Sequence, residues 1–253
     1  MGVVNHLLFI EPRRHYLLWG SCVMAEIVER MRKPEYVVRQ LRGEEAMPEP
    51  INSAIAEIDP MLVYGVGHGS ETVFTVECIT RYMSVCDENT RRMSGRAVHL
   101  NSCKTAFSLG PDLINKGALT YFGSRGLFWL YIGSPPCSDR ASRAVFLAEY
   151  AVEESLLAGK TTGEARADQL RRYDNEIEYW TTGEGRTHPH AAGIVRILTI
   201  DKDVSTMLGR DDVRVCTPPV IDLWLLIVMT VGMAPLIVVG GVISSEEFRK
   251  GWR

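Results

Sequence analysis

A chain of 253 residues that is 46% hydrophobic can bury one sizeable core, so one globular domain with an appendage is the expected organisation. A formal charge of −3, with basic residues scattered among acids, provides no field for nucleic acid and excludes that class of partner. The six cysteines contain no Cys-x-x-Cys pair, so neither a zinc knuckle nor a thioredoxin-like motif is written here, and mostly reduced thiols are expected.

His6 to Ile10 reads as a first strand. The surrounding run, Val3 to Ile10, is too short and too polar for a signal peptide, and His6 stands where a myristoylation signal needs Ser or Thr. Tyr16 to Arg32 carries Leu17, Leu18, Val23, Met24, Ile27, Val28 and Met31 at helical spacing, and Pro34 stops it. Tyr36 to Leu41 is a second strand. After a polar loop from Gly43 to Pro50, Ile51 to Ile58 is a short amphipathic helix that delivers the chain to an apolar run, Met61 to Val66. That run ends in Gly67-His68-Gly69-Ser70. Val73 to Val85 fits neither the helical nor the strand period and is open between helix and hairpin.

A second apolar run, Arg96 to Leu100, ends in Asn101-Ser102-Cys103. The spacing predicts a helix over Lys104 to Lys116 beginning just after Cys103, ended by Gly117 and followed by a strand at Ala118 to Phe122. Beyond the turn-rich Gly133 to Asp139, Ser138 or Asp139 can cap a long helix running to about Ala158, closed by Gly159. Another helix runs from Thr161 to about Trp180, with Glu164 in its favourable first turn. Gly183 to His190 is a loop, and Gly193 to Ile200 alternates like a last strand. Strands separated by helices imply an α/β sandwich with a mostly parallel sheet over residues 1–212, and 213–219 reads as a junction.

The tail differs in kind. From Val220 to Ile243 the only ionisable residue is Asp222, and at about 1.5 Å per residue this stretch covers a hydrocarbon core of roughly 30 Å. Residues 220–243 are therefore expected to be a transmembrane helix, kinked at Pro235, ahead of a short polar tail over 244–253. Arg210 and Arg214 before it nearly balance Arg249, Lys250 and Arg253 after it, so charge does not set its topology. A cytosolic catalytic domain on a single-pass C-terminal membrane anchor is the default, given no signal peptide.

In an open α/β sheet, ligands sit beyond the carboxyl ends of parallel strands, so two neighbouring strands would bring His68 and Cys103 to one rim. Helix N-terminal N–H groups and the dipole would favour thiolate at Cys103, with Lys104 adding positive charge. The Gly69 and Cys103 N–H groups are candidates to hold the oxyanion of a tetrahedral intermediate. Other motifs carry less. Gly65-x-Gly67 lacks its third glycine, since Ser70 stands there, and His188-Pro189-His190 has no third ligand nearby. Tyr173, Tyr179 and Trp180 read as packing and rim aromatics.

An apolar block ending in His-Gly, then a second ending in Ser-Cys, resembles the caspase-like cysteine peptidases, which include gingipains, legumains, separases and CHAT domains. Leu100-Asn101-Ser102-Cys103-Lys104-Thr105-Ala106 is most similar to the gingipain and CHAT branches, as are Leu109-Gly110-Pro111, Gly117-Ala118, Gly123-Ser124 and Gly159 to Ala165. The resemblance covers roughly Met61 to Ala165. It implies a caspase-like three-layer sandwich, with His68 and Cys103 as catalytic dyad and Gly69 completing the oxyanion hole. It also implies hydrolysis of a protein or peptide substrate through a thioester, without metal or organic cofactor. No acidic specificity residue matches, so Arg or Lys preference does not transfer, and the aromatic-rich Ser124 to Tyr131 segment is expected to form one pocket wall. The alternative is a catalytically silent caspase-like scaffold or subunit of a membrane-associated assembly. Oligomeric state is not written in the sequence.

Overall fold

Strands buried on both faces and joined through helices read as short unbroken apolar runs, and the core of this protein is built from such runs. The computed structural model describes residues 5–12, 20–33, 36–77, 79–134 and 138–216. Its strands are β1 (Asn5–Glu11), β2 (Tyr36–Arg42), β3 (Leu62–Val66), β4 (Val73–Val76), β5 (Thr80–Ser84), β6 (Ala97–Asn101), β7 (Thr120–Ser124) and β8 (Ser205–Gly209). Its helices are α1 (Ser21–Arg30), α2 (Pro48–Ile58), α3 (Glu88–Arg91), α4 (Leu109–Asn115), α5 (Arg140–Glu149), α6 (Ala151–Leu157), α7 (Thr162–Thr181) and α8 (Ala191–Val204).

Six strands form one sheet in the order β2-β1-β3-β6-β7-β8. The pairs from β2 to β7 are parallel, and β8 runs antiparallel along β7. Because side chains alternate across a strand, each strand serves two cores. Leu7, Phe9, Leu62, Tyr64, Val66, Ala97 and Phe122 pack on one face with residues of α1, α5, α6 and α7. Leu8, Ile10, Val63, Val98, Leu100 and Tyr121 pack on the other with α2, α4 and the β4–β5 hairpin. A third cluster joins α5, α7 and α8 outside the first. The α/β class with a mostly parallel sheet flanked by helices is thus as expected.

Several elements differ from the sequence expectation. Val73 to Val85 is a hairpin, β4 antiparallel to β5. The expected helix from Asp139 to Ala158 is two, separated at Tyr150, whose ψ of 2° leaves the helical region. Asp139 does cap the first of them, accepting from the N–H groups of Ala141 and Ser142. Gly193 to Ile200 is helical, within α8, and the last strand is β8. Its alternation misled because Ala191, Ile194, Leu198 and Asp201 are the buried positions, a spacing of three and four.

Cys22 stands in a disulfide, while Cys86 and Cys103 are free thiols, so most of the cysteines among the described residues are reduced as expected. The chain divides into two compact units, Met1–Pro218 and Pro219–Arg253. Val213, Val215 and Cys216, expected in a junction, are buried in the first unit. There Thr162 N–H donates to the Val213 carbonyl at 2.9 Å. The apolar stretch Val220 to Ile243 lies outside the described residues. Among the described residues, no helix is long and apolar enough to cross a membrane.

Candidate active site

β3 and β6 are adjacent and parallel, with Val66 beside Asn101, so the residues that follow them leave the sheet side by side. Gly67 N–H donates to the Asn101 carbonyl at 3.3 Å and extends the pairing by one step. His68 and Cys103, both half-buried, line one cavity of about 230 Å³ with Gly67, Asn101, Ser102, Phe128, Trp129, Leu130 and Ile132.

The hairpin fixes the His68 side. Thr75 N–H donates to the His68 carbonyl at 2.9 Å and Ser70 N–H to the Val73 carbonyl at 2.9 Å, so β4 runs back along the His-Gly turn. Glycine is required by this packing: a Cβ on Gly67 would lie 1.9 Å from the Thr75 carbonyl oxygen, and one on Gly69 would lie 2.4 Å from the Cys103 carbonyl oxygen. The Gly65-x-Gly67 pattern therefore serves close approach of the hairpin, and the Gly69 contact brings the two loops together. Among the described residues neither the Gly69 nor the Cys103 N–H donates to a protein acceptor, and of the two only Cys103 belongs to the cavity lining.

On the Cys103 side the expected helix start is absent. Ser102 to Ser108 form turns and α4 begins only at Leu109, so no helix dipole acts on the thiol. Side-chain and loop hydrogen bonds hold this segment instead. Ser102 Oγ and Thr105 Oγ1 lie 2.9 Å apart, and the Tyr121 hydroxyl donates to Thr105 Oγ1 at 2.8 Å. Ala106 N–H donates to the Ser124 carbonyl at 3.0 Å, and Lys104 N–H to the Gly126 carbonyl at 2.8 Å. Lys104 takes a φ of 59°, a left-handed conformation that costs a non-glycine residue roughly 1–2 kcal/mol. The turn thus holds a strained residue next to the nucleophile candidate.

The thiol meets the backbone of the aromatic segment. Phe128 N–H donates to Cys103 Sγ at 3.4 Å, and the Phe128 carbonyl lies 3.9 Å from the same sulfur. The expected wall is therefore present, and α8 braces it. Arg125 N–H donates to the Val204 carbonyl at 2.8 Å, and Trp129 N–H to Asp201 Oδ1 at 2.9 Å. The Tyr131 ring lies 6.3 Å from His188 and 5.7 Å from His190, and Trp180 lies 5.5 Å from His188. The His188 and His190 rings are part of this aromatic support, and Tyr173 and Trp180 are buried packing residues.

Asp201 was not legible as support for the site, and within the expected Ser124 to Tyr131 wall nothing singled out Phe128. Reading 193–200 as a strand hid the buried face of α8, and a backbone contact to sulfur leaves no sequence signal. Asp201 is buried, with no partner for Oδ2 among the described residues, and burial pushes its carboxyl up to about 9.

His99 stands apart from the cavity, two positions before Asn101 and fully buried. Its Nδ1 lies 2.5 Å from Glu153 Oε1 and its Nε2 3.0 Å from Glu149 Oε1. Burial alone would lower its pKa, but the Glu153 charge and hydrogen bonds to both carboxylates carry it up to about 10. Burial likewise opposes charge on Glu149, yet its hydrogen bond and charge pairing with His99 hold that carboxyl below its ordinary value. Gln169 Nε2 and the Tyr173 hydroxyl donate to the other Glu149 oxygen at 3.0 and 2.8 Å. His99 is thus the centre of a buried ion-pair network beneath β6. Compared with known proteins, the chain matches no family model and no curated sequence.

Proposed function

We propose that this chain is a cysteine endopeptidase of caspase-like three-layer architecture. The observation that carries the reading is that His68 and Cys103, from adjacent strands, line the same cavity while Gly69 packs against the Cys103 turn. The thiolate of Cys103 attacks the scissile carbonyl carbon, and the carbonyl π pair moves onto oxygen, where the Gly69 and Cys103 N–H groups receive it. Collapse of the tetrahedral species breaks the C–N bond, and His68 gives a proton to the departing amine. Water then adds to the thioester with His68 taking its proton, and cleavage of the C–S bond returns the thiolate and releases the acid. No cofactor enters this scheme, and the partner it requires is a protein or peptide chain.

We further propose that Val220 to Ile243 anchors the enzyme in a membrane, with Thr217-Pro218-Pro219 as a stiff junction. The support is the length and apolar character of that stretch.

The direct test replaces the nucleophile. Cys103→Ala should abolish cleavage of a peptide library with the melting temperature unchanged, whereas Cys86→Ala, at another free thiol that is exposed, should keep most activity. Hydrolysis by Cys103→Ala at the native rate would sink the mechanism.

A further inference from the structure

The cavity at Cys103 has a one-sided chemistry. Apart from His68, its lining contains no ionisable side chain besides the thiol itself among the described residues, and Phe128, Trp129, Leu130 and Ile132 supply one wall. Trp129 and Ile132 are 47% and 54% exposed and Leu127 is 48% exposed, so large apolar groups are held open to solvent beside the thiol. α8 braces the segment at Arg125 and Trp129, and the His188 and His190 rings pack on Tyr131. At about 230 Å³ the cavity is smaller than the roughly 300–1,000 Å³ of small-molecule sites, and suits one large side chain.

A cationic side chain entering there would find no carboxylate. Asp201, which braces the wall, is fully buried, bound to the Trp129 N–H and not part of the lining. Its carboxyl is also pushed upward by burial, so it offers no charge at neutral pH. A guanidinium or ammonium would lose its hydration without compensation, whereas an apolar side chain gains by leaving water.

We infer that the cleft selects a large apolar residue, aromatic or aliphatic, on the acyl side of the scissile bond, seated against Trp129, Leu130 and Ile132. This rests on the cysteine-peptidase reading, and its test separates the two. The full chain is treated with peptidyl acyloxymethyl ketones that are identical except for the residue beside the warhead: Leu, Phe, Arg, Lys or Asp. The thiolate displaces the carboxylate leaving group and forms a thioether, located by peptide mapping. Iodoacetamide measures intrinsic thiol reactivity in parallel.

Leu and Phe probes should label Cys103 at least about 100-fold faster than Arg, Lys or Asp probes. Trp129→Asp and Ile132→Asp, at half-exposed positions that tolerate a polar side chain, should each move the Phe-to-Arg labelling ratio towards Arg by about tenfold or more, every rate being normalised to that variant's own iodoacetamide rate. Arg, Lys or Asp probes matching Leu and Phe would overturn the apolar selectivity and leave the peptidase reading standing. An unchanged preference in both variants would overturn the assignment of the wall. Absence of labelling by every peptidyl probe, with iodoacetamide still reacting, would overturn both readings.

Discussion

Two histidines near the ends of adjacent strands have opposite surroundings, and that contrast separates their roles. His99 is enclosed between Glu149 and Glu153, so His99→Ala would leave two buried carboxylates without their cation. Losing one partner of such a buried pair costs about 3–5 kcal/mol, and a marked fall in melting temperature is expected. His68 is half-buried beside the cavity, so His68→Ala should hold its melting temperature while turnover falls about 10²–10⁴-fold. Thermal melts and turnover measured on both variants check this, and equal activity losses at unchanged stability would undo the assignment. Asp201 gives a pH dependence with a definite sign. Its folded pKa, pushed up to about 9, exceeds the ordinary value, so the folded state binds the extra proton and stability declines as pH rises from about 4 to 9. The raised His99 acts in the same direction, its contribution being complete below about 6.5 and lost through about 10. Asp201→Asn should therefore melt higher than the parent at pH 8 and converge with it near pH 4. A gap that stays constant over that range would contradict a buried neutral carboxyl. His68 and Cys103 were legible as candidates because each closes an apolar run. The buried partners were not, since Glu149 and Glu153 resemble any surface helix residues until the fold turns them inward.

At the scale of elements, the β4–β5 hairpin is the least conspicuous part of the sequence and the one that seats His68. Phe74 is fully buried beneath the Gly65–Gly67 segment, and neighbouring Thr75 holds the His68 carbonyl. Phe74→Ala should cost about 3–5 kcal/mol and, in the population that remains folded, lower turnover by loosening the His-Gly turn. Chemical denaturation with parallel assays below the unfolding midpoint would detect both effects, and full turnover per folded molecule would show that the hairpin does not position His68. The strands of the parallel core were readable from their apolar runs, and α7 from Glu164 in its first turn, where the structure adds a capping box with Thr161. The helix expected from Lys104 passed over Gly110-Pro111 in its interior, a pair that fits the first turn of a helix beginning at Leu109. The turn at Lys104 is held by tertiary hydrogen bonds from Tyr121, Ser124 and Gly126.

For the whole molecule, the buried Val213, Val215 and Cys216 move the natural cut point towards Pro218. A chain ending at Pro218 should be soluble, folded and reactive at Cys103. The full chain should sediment with membranes and stay there through high salt and alkali, because hydrophobic insertion is not screened by ions. Release of the full chain by salt, or aggregation of the shortened one, would remove the anchor from the proposal.

The strand order also separates two quantities that a motif search treats as one. β3 and β6 touch in the sheet, yet the chain between them makes a complete excursion through the hairpin and α3, whose connecting turn reaches Ile79, 86% exposed. Spatial proximity of the two reactive groups is set by strand adjacency and the Gly69 contact, while their distance along the chain is set by how far that excursion wanders. The interval between histidine and cysteine is therefore a free length for this architecture, open to insertions at the hairpin tip. Relatives sharing the constellation are better sought by strand neighbourhood than by residue count.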